Sequence, residues 1–410
     1  MRLRSIKAIS APMASKIANA YIDFSKMTTT ICAIRCTLAN GKDVVGYGFN
    51  SNGRYSSESL MKERFIPRLL EAKPESLVDA SHGVEFLCPF KCWDVMMKNE
   101  KPGGHGERSV AVGTLDMALW DAVSKASEKP LWRLLSERYN KGKHDTHVDV
   151  YAAGGYYYPG KGVAALQSEM QSYLDRGYVN VKLKIGGSAS VSSDHYDLQA
   201  ALREDTERIE GVLSMLPAAS KLAVDANGRL DLKSAKAYAD LLQPYAKQIL
   251  WYEEAGDPLD YFLQSQISEY MKDIGSSIPM ATGENLFSAI DACNLLRFGG
   301  MDRNQDVLQF DCALSYGLVE YMRTLEHMAA EGWSRRRVVP HGGHQMSLNI
   351  AAGLQLGGNE SYPDVFQPFS GFSDRTPIVN GHVAVDLETP GIGFEHNSSL
   401  YAIMRTVDAV

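Results

Sequence analysis

Nine residues decide the fold: Val179-Asn180-Val181-Lys182-Leu183-Lys184-Ile185-Gly186-Gly187. Val179, Val181, Leu183 and Ile185 alternate with polar residues, the two-residue period of a strand packed on one face. Lys182 and Lys184 then share the opposite face, because side chains two apart on a strand point the same way. The glycine pair ends the strand. Two lysines inside an apolar strand are costly unless they are solvated, paired or neutralised. A surface strand with two solvated lysines accounts for this stretch by itself, so the rest of the chain has to decide.

Working outward, short apolar runs alternate with helical periodicity. Strands are expected near 148–153, 179–185, 221–224, 249–252, 278–281, 307–310, 337–339 and 354–357, with helices at 162–175, 198–216, 232–245, 261–272, 289–296 and 316–330. This repeat over residues 148–370 predicts an α/β fold, a (β/α)8 barrel, with a doubly wound open sheet as the structural alternative. Residues 1–140 differ. Strands at 4–9, 28–38 and 42–49, the last two joined across Asn40-Gly41, precede helices at 57–70 and 110–125, which makes an α+β domain. The glycine-rich loop 99–106 has no Rossmann-type strand before it and no Lys-Ser/Thr pair after it, so it is no phosphate cradle. The segment 371–410 has loop and short-strand character and is expected to complete the first domain.

A chain of 410 residues is too long for one ordinary core, which agrees with two domains. Its composition, 45% hydrophobic and 22% charged, is that of a soluble globular protein. A net charge of −7 gives no electrostatic reason to bind nucleic acid or an anionic membrane. No apolar run is long enough to span a bilayer, and Met1-Arg2-Leu3-Arg4-Ser5 is not followed by a signal peptide's apolar core, so a cytoplasmic protein is expected. The six cysteines lack Cys-x-x-Cys spacing and are expected as reduced, mostly buried thiols.

Catalytic groups of a barrel come from the carboxyl ends of its strands. Asp225, Glu253, Glu284, Asp311 and His341 each follow an expected strand, at successive gaps of 28, 31, 27 and 30 residues. One such gap is about one strand–helix unit. Taken singly, Asp225 and Asp311 could cap helices, Glu253 could be solvated and His341 could be a loop residue. Five polar groups at one structural phase favour a shared site. Three converging carboxylates repel unless a cation neutralises them, and an all-oxygen set of Asp225, Glu253 and Glu284 favours Mg²⁺ or Mn²⁺ over Zn²⁺. Beside a cation and another ammonium, each lysine is expected to have a lowered pKa and so to serve as a base. His341, oriented by Asp311, stands on the other side. A metal between two proton-transfer groups suits removal of a proton α to a carboxylate.

This constellation resembles the enolase superfamily, mandelate racemase subgroup. The residues that carry the resemblance are Lys182 and Lys184, the carboxylates Asp225, Glu253 and Glu284, the pair Asp311 and His341, and Glu360 in the eighth-strand position. The resemblance implies one Mg²⁺ per subunit and an N-terminal capping domain over the barrel mouth. Residues 45–55, 99–112, 151–161, 281–288 and 340–354 further resemble the subgroup's dehydratases of D-tartrate. That implies loss of water from D-tartrate to an enol that becomes oxaloacetate. Lys184 would take the C2 proton, with Lys182 in support. The metal and Glu360 would stabilise the enediolate, and His341 would protonate the departing hydroxyl. The choice of Lys184 over Lys182 comes from the resemblance, since the alternation treats them alike.

A diacid needs a second anchor. Lys101 is the first choice, followed by Asn50, Asn52 and His105 in the capping loops, while Tyr156, Tyr157 and Asn227 are candidates for the pocket wall. Three other readings stay open: a dehydratase of another acid sugar, an epimerase or racemase exchanging protons at one carbon, and a non-enzymatic carboxylate-binding scaffold. The expected partners are a small dicarboxylate or acid-sugar substrate and further copies of the chain as a homo-oligomer.

Overall fold

A computed structural model of the chain describes residues 1–13, 17–19, 24–52, 54–79, 86–158, 160–187, 196–385 and 388–409. Gly53 and Pro159, in two of the stretches singled out above, lie outside them. Three antiparallel strands, Arg2–Pro12, Thr28–Thr37 and Asp43–Phe49, form the first sheet in chain order. The helix Glu107–Ala126 lies against the last two, so close that a Cβ at Gly46 would stand 2.2 Å from the Ala118 carbonyl oxygen.

Two carboxylates buried in that helix join it to the rest of the molecule. Asp121 accepts the backbone N–H groups of Tyr47 (2.9 Å) and Ile392 (2.8 Å) and pairs with Lys125 (2.7 Å). Asp116 accepts the N–H of Leu318 at 2.6 Å, capping the barrel helix Leu318–Ala330 from outside. Helix N-termini leave such N–H groups without intrahelical partners, so one side chain satisfies a donor and ties the domains together.

The barrel strands His147–Ala153, Asn180–Lys184, Leu222–Asp225, Ile249–Glu253, Met280–Thr282 and Val307–Leu308 pair in parallel succession. The seventh position consists of single bridges, Leu308 to Val338 and Asp311 to His341. Asn359–Ser361 then pairs with residues 150–152 of the first strand and closes the ring. The outer helices are Val163–Asp175, Leu198–Leu213, Leu232–Leu242, Tyr261–Asp273, Ala289–Phe298, Leu318–Ala330 and Gln345–Leu354. No helix follows the eighth strand before the hairpin Ile378–Val379/His382–Ala384, so the fold is a modified TIM barrel with an N-terminal cap.

Several expectations change. The eighth strand is at 359–361 rather than 354–357, because residues 345–354 are helical. His344 and Ser347 form a capping box at the start of that helix, and left-handed Gln355 (φ 56°) ends it. Arg335–Arg337 is a 3₁₀ turn rather than the start of the seventh strand, and its arginines point outward to Asp145 and to the carbonyls of Asn304 and Gln305. Helices Pro89–Met97, Leu131–Tyr139 and Ser398–Ala409 carry no strong signal in the sequence reading. The segment 371–410 is divided. Its hairpin extends the barrel sheet beside the first strand, while its last helix packs on the cap strand Thr28–Thr37, with Asp408 paired to Arg35 at 2.7 Å. All six cysteines are free, and five of them are buried. Among the described residues, no helix is long and apolar enough to cross a membrane.

The contact between cap and barrel is tightest at Gly113, where a Cβ would sit 1.7 Å from the Ala313 carbonyl oxygen. Gly113→Ala should lower the free energy of unfolding by about 1–3 kcal/mol, the usual cost of overpacking. A denaturant titration measures this. An unchanged midpoint would mean that the helix and residues 313–317 separate at no cost.

Candidate active site

Strand register sets the floor of the site. Lys184 is paired with Asp225, and Asp225 with Glu253, so the three stand in one layer across neighbouring strands about 4.8 Å apart. Lys182 lies one repeat deeper on the same inner face, while Val181 and Leu183 are buried on the other face. Both faces of the opening strand are therefore covered, and the lysines point into the barrel. Lys182 Nζ is 2.7 Å from Glu253 Oε1, 2.6 Å from Glu360 Oε1 and 3.3 Å from Asp225 Oδ2. Lys184 donates to Asp225 Oδ2 and lies 5.0 Å from the centre of the Tyr156 ring.

On the far side, His341 Nδ1 is 2.7 Å from Asp311 Oδ2. The same oxygen accepts Ser51 Oγ–H from the cap at 2.9 Å, and Asp311 Oδ1 accepts the N–H groups of Ala313 and Leu314, both at 2.7 Å. With Nδ1 donating to a carboxylate, Nε2 faces the cavity, 3.1 Å from Tyr362 OH and 3.4 Å from Glu284 Oε2. Glu360 Oε2 accepts the Gly342 N–H at 3.1 Å, which fixes that carboxylate against the histidine loop.

Charge follows from these distances. Burial and the neighbouring Asp225 carboxylate raise the Glu253 pKa to about 8. Burial opposes ionisation of Asp225, but the two lysines outweigh it and hold its pKa below the usual range. For His341, burial pulls the pKa down, and Glu284, Glu360 and Asp311 overcome it to give about 9, so the ring is protonated near neutral pH. The expectation for the lysines counted a bound cation, and the protein's own groups act on them in the opposite sense. Burial lowers both, but the surrounding carboxylates win, and the protein's own groups raise both pKa values instead of lowering them.

The donor set fits a hard divalent cation. Ligand oxygens of Asp225, Glu253 and Glu284 lie within 4.8 Å of one another, near the ~3–4 Å separations of oxygens around Mg²⁺. Burial and the Asp225 carboxylate both disfavour the charged form of Glu253, a cost that a cation would relieve. Trp251 Nε1–H donates to Glu253 Oε2 at 2.7 Å and orients that ligand. A second group, Asp311, Cys312 and His344, is also compact, but Asp311 already accepts four hydrogen bonds and has no lone pair left for an ion.

Above this floor is a cavity of about 750 Å³, lined on the cap side by Asn52, Arg54 and His105 and on the barrel side by Tyr156, Lys184, Asn227, Glu284, His341 and Tyr362 among others. Four of the expected substrate contacts, Asn52, His105, Tyr156 and Asn227, therefore face it. Lys101 does not. Its neighbour Glu100 is held inward by Arg64, Arg68 and Arg108, which turns Lys101 out to solvent. Asn50 is buried beneath the loop, its Oδ1 accepting from Thr29 and Thr30 and its Nδ2 donating to the Arg54 carbonyl. Tyr157 also lies behind the wall, with its hydroxyl on Asp205.

Sequence reasoning missed Arg54, Asn285 and Tyr362. Arg54 donates to Asn285 Oδ1 and sits 5.0 Å from the Phe287 ring centre, and Asn285 Nδ2 donates to Glu254 at 3.0 Å. Arg54 lay inside a stretch already singled out, and Tyr362 follows Glu360 by two residues, the strand repeat that shares a face. Those signals were present but did not by themselves rank the residues.

Comparison with known proteins agrees with this geometry. The arabinonate dehydratase of Saccharolobus solfataricus is 26% identical over 365 residues, covering 85% of this chain and 84% of that protein. A racemase from Streptomyces coelicolor with bound magnesium superposes with a TM-score of 0.71 at 22% identity, covering 97% of this chain and 99% of the other. An L-talarate dehydratase from a Polaromonas species, complexed with Mg and L-glucarate, superposes with a TM-score of 0.69 at 21% identity, covering 95% and 92%. At these identities the two structures show a shared fold. Residues 165–400, more than half of the chain, match the family described as Enolase C-terminal domain-like, and the chain belongs to that family.

Proposed function

We propose that the protein is a Mg²⁺-dependent acid-sugar dehydratase, and that D-tartrate, converted to oxaloacetate, is among its substrates. The observation that carries the reading is the floor of the cavity, where a carboxylate trio fit for a cation lies between a buried lysine and an Asp-held histidine. Similarity to an arabinonate dehydratase supports the reaction class. The stretches at 45–55, 99–112 and 340–354 support D-tartrate. The same reading assigns residues 148–370 to the catalytic barrel and residues 1–140, with part of 371–410, to the cap.

Mg²⁺ held by Asp225, Glu253 and Glu284 supplies positive charge that acidifies the α-proton of a substrate carboxylate. Lys184, whose pKa the Asp225 carboxylate raises, would serve as the base once Asp225 is engaged as a ligand. Lys182, pinned among Glu253, Glu360 and Asp225, stays charged and stabilises the carboxylate as negative charge builds on it. Glu360 bears on the same intermediate from the eighth strand. His341 gives its Nε2 proton to the leaving hydroxyl, with Asp311 keeping the ring oriented. At the far wall Arg54 takes the second carboxylate of a diacid, the role expected of Lys101 from sequence. Asn52, His105, Tyr156 and Asn227 meet the hydroxyls between.

The test is a panel of D-tartrate, arabinonate, galactonate and galactarate with Mg²⁺, read out as 2-keto acid. Turnover of another acid with none on D-tartrate would remove the specific substrate and keep the class, while epimerised product without keto acid would replace dehydration by epimerisation. Lys184→Met should abolish both dehydration and exchange of the α-proton with D₂O. His341→Asn should cut dehydration by about 10²–10⁴-fold yet leave exchange in place. A His341→Asn variant that dehydrates at the normal rate would remove His341 as the acid.

Arg54→Met should raise KM for diacids about 10–100-fold, the worth of a hydrogen bond to a charged group. Lys101→Met should leave KM unchanged. Steady-state kinetics that reversed this order would return the distal anchor to Lys101.

A further inference from the structure

The strands bearing Tyr156 and Lys184 part company at the mouth of the barrel. Their ladder pairs Ala153 with Lys182, and beyond it only a 3.4 Å bond from Lys184 N–H to the Gly155 carbonyl continues the pairing. The opening lets Tyr156 reach the cavity, but it removes the backbone bonds that would fix the distance between the Tyr156 ring and Lys184.

One turn of the helix Leu198–Leu213 fills that gap. Arg208 Nη2 donates to the Gly155 carbonyl at 2.6 Å and to the Lys184 carbonyl at 3.2 Å, bridging the two strand ends. Its guanidinium lies 3.9 Å from the Tyr157 ring centre. Asp205, three residues earlier, accepts the N–H groups of Gly186 (2.9 Å) and Gly187 (3.2 Å). It also accepts the hydroxyls of Tyr157 (2.8 Å) and Tyr238 (2.6 Å). Gly186 (φ 109°) and Gly187 (φ 84°) hold the left-handed turn that presents both N–H groups to one carboxylate. Neither Asp205 nor Arg208 lines the cavity.

Burying an acid and a base is a poor way to add stability, since apolar residues of similar volume usually do as well. A buried pair whose polar atoms converge on the Lys184 carbonyl, on the two glycines after it and on Gly155 of the neighbouring segment suits a demand for close placement. We infer that Arg208 and Asp205 are positioning residues for the proposed base: they set where Lys184 and Tyr156 stand relative to each other without touching substrate. This rests on Lys184 being the base. A misplacement of about 1 Å at such a group costs on the order of 100-fold in rate.

The experiment compares Arg208→Met, Arg208→Lys and Tyr157→Phe in the full chain with Mg²⁺, using whichever panel acid the wild type turns over. Arg208→Met should lose about 100-fold in kcat and in α-proton exchange when assayed well below its Tm, with KM and Mg²⁺ binding little changed. Its Tm itself falls, because Asp205 is left buried without its partner. Arg208→Lys should recover part of the loss, and Tyr157→Phe, which removes one donor to Asp205, should show a smaller loss. Normal exchange in Arg208→Met, or a loss that tracks Tm and is no better in Arg208→Lys, would overturn the inference. If Arg208→Met does not fold, the other two variants decide by the same criteria. If the wild type acts on no panel acid, the dehydratase reading fails by itself. The inference is then judged by a crystal structure of Arg208→Lys: a shifted Lys184 carbonyl and Tyr156 ring support it, and unmoved groups overturn it.

Discussion

The charge balance inside the barrel is what the rest of the structure serves. Lys182 and Lys184 are buried in a strand whose other face is also buried, and neither has solvent to stabilise its ammonium. Asp225, Glu253 and Glu360 supply that stabilisation, and they in turn are tolerable at such depth only because the lysines are present. Removing either side would leave uncompensated charge in the interior, which is more damaging than never having buried the pair. The barrel's parallel register gives the arrangement for a small structural outlay: it lines up Lys184, Asp225 and Glu253 at one level on three neighbouring strands.

The cap is built around the same centre. Ser51 reaches Asp311, Asn52 donates to the Gly342 carbonyl, and Arg54 reaches Asn285, so three residues of one cap loop each meet a different barrel loop. The first supports the histidine's orienting carboxylate. The last leads through Asn285 to Glu254 and Glu284. The cap residues at the cavity are thus connected to the buried charged groups of the barrel through hydrogen bonds rather than through apolar packing alone.

Much of this was legible in the sequence because each strand-end group follows an apolar run: Asp225 after Leu222-Ala223-Val224, and His341 after Val338-Val339-Pro340. The eighth strand was not legible, since Asn359-Glu360-Ser361 is polar and wholly buried, and no hydrophobic alternation marks it. That Lys101 lies off the cavity was not legible for a different reason. Whether a loop cation faces in or out depends on its neighbours' partners, and of the arginines around Glu100, Arg64 and Arg68 come from a helical stretch well before the loop and Arg108 from the helix after it. The sequence argument for the lysines counted a cation and a second ammonium, whereas the depth at which Glu253 and Glu360 surround Lys182 and raise its pKa depends on packing that no local pattern shows. The tail helix Ser398–Ala409 is short and amphipathic, and its partner strand lies over 350 residues away in sequence, so local pattern says little about where it packs.

The two buried carboxylates of the long cap helix limit how the molecule can breathe. Asp116 holds the start of a barrel helix and Asp121 holds both the cap sheet and the tail, while Gly113 lets the helix backbone press directly on residue 313. A hinge that swung the cap away as one body would have to strip these fully buried carboxylates of their donors. Traffic into the cavity therefore falls to the rim, to the segments around Arg54 and His105 whose side chains cross to the barrel.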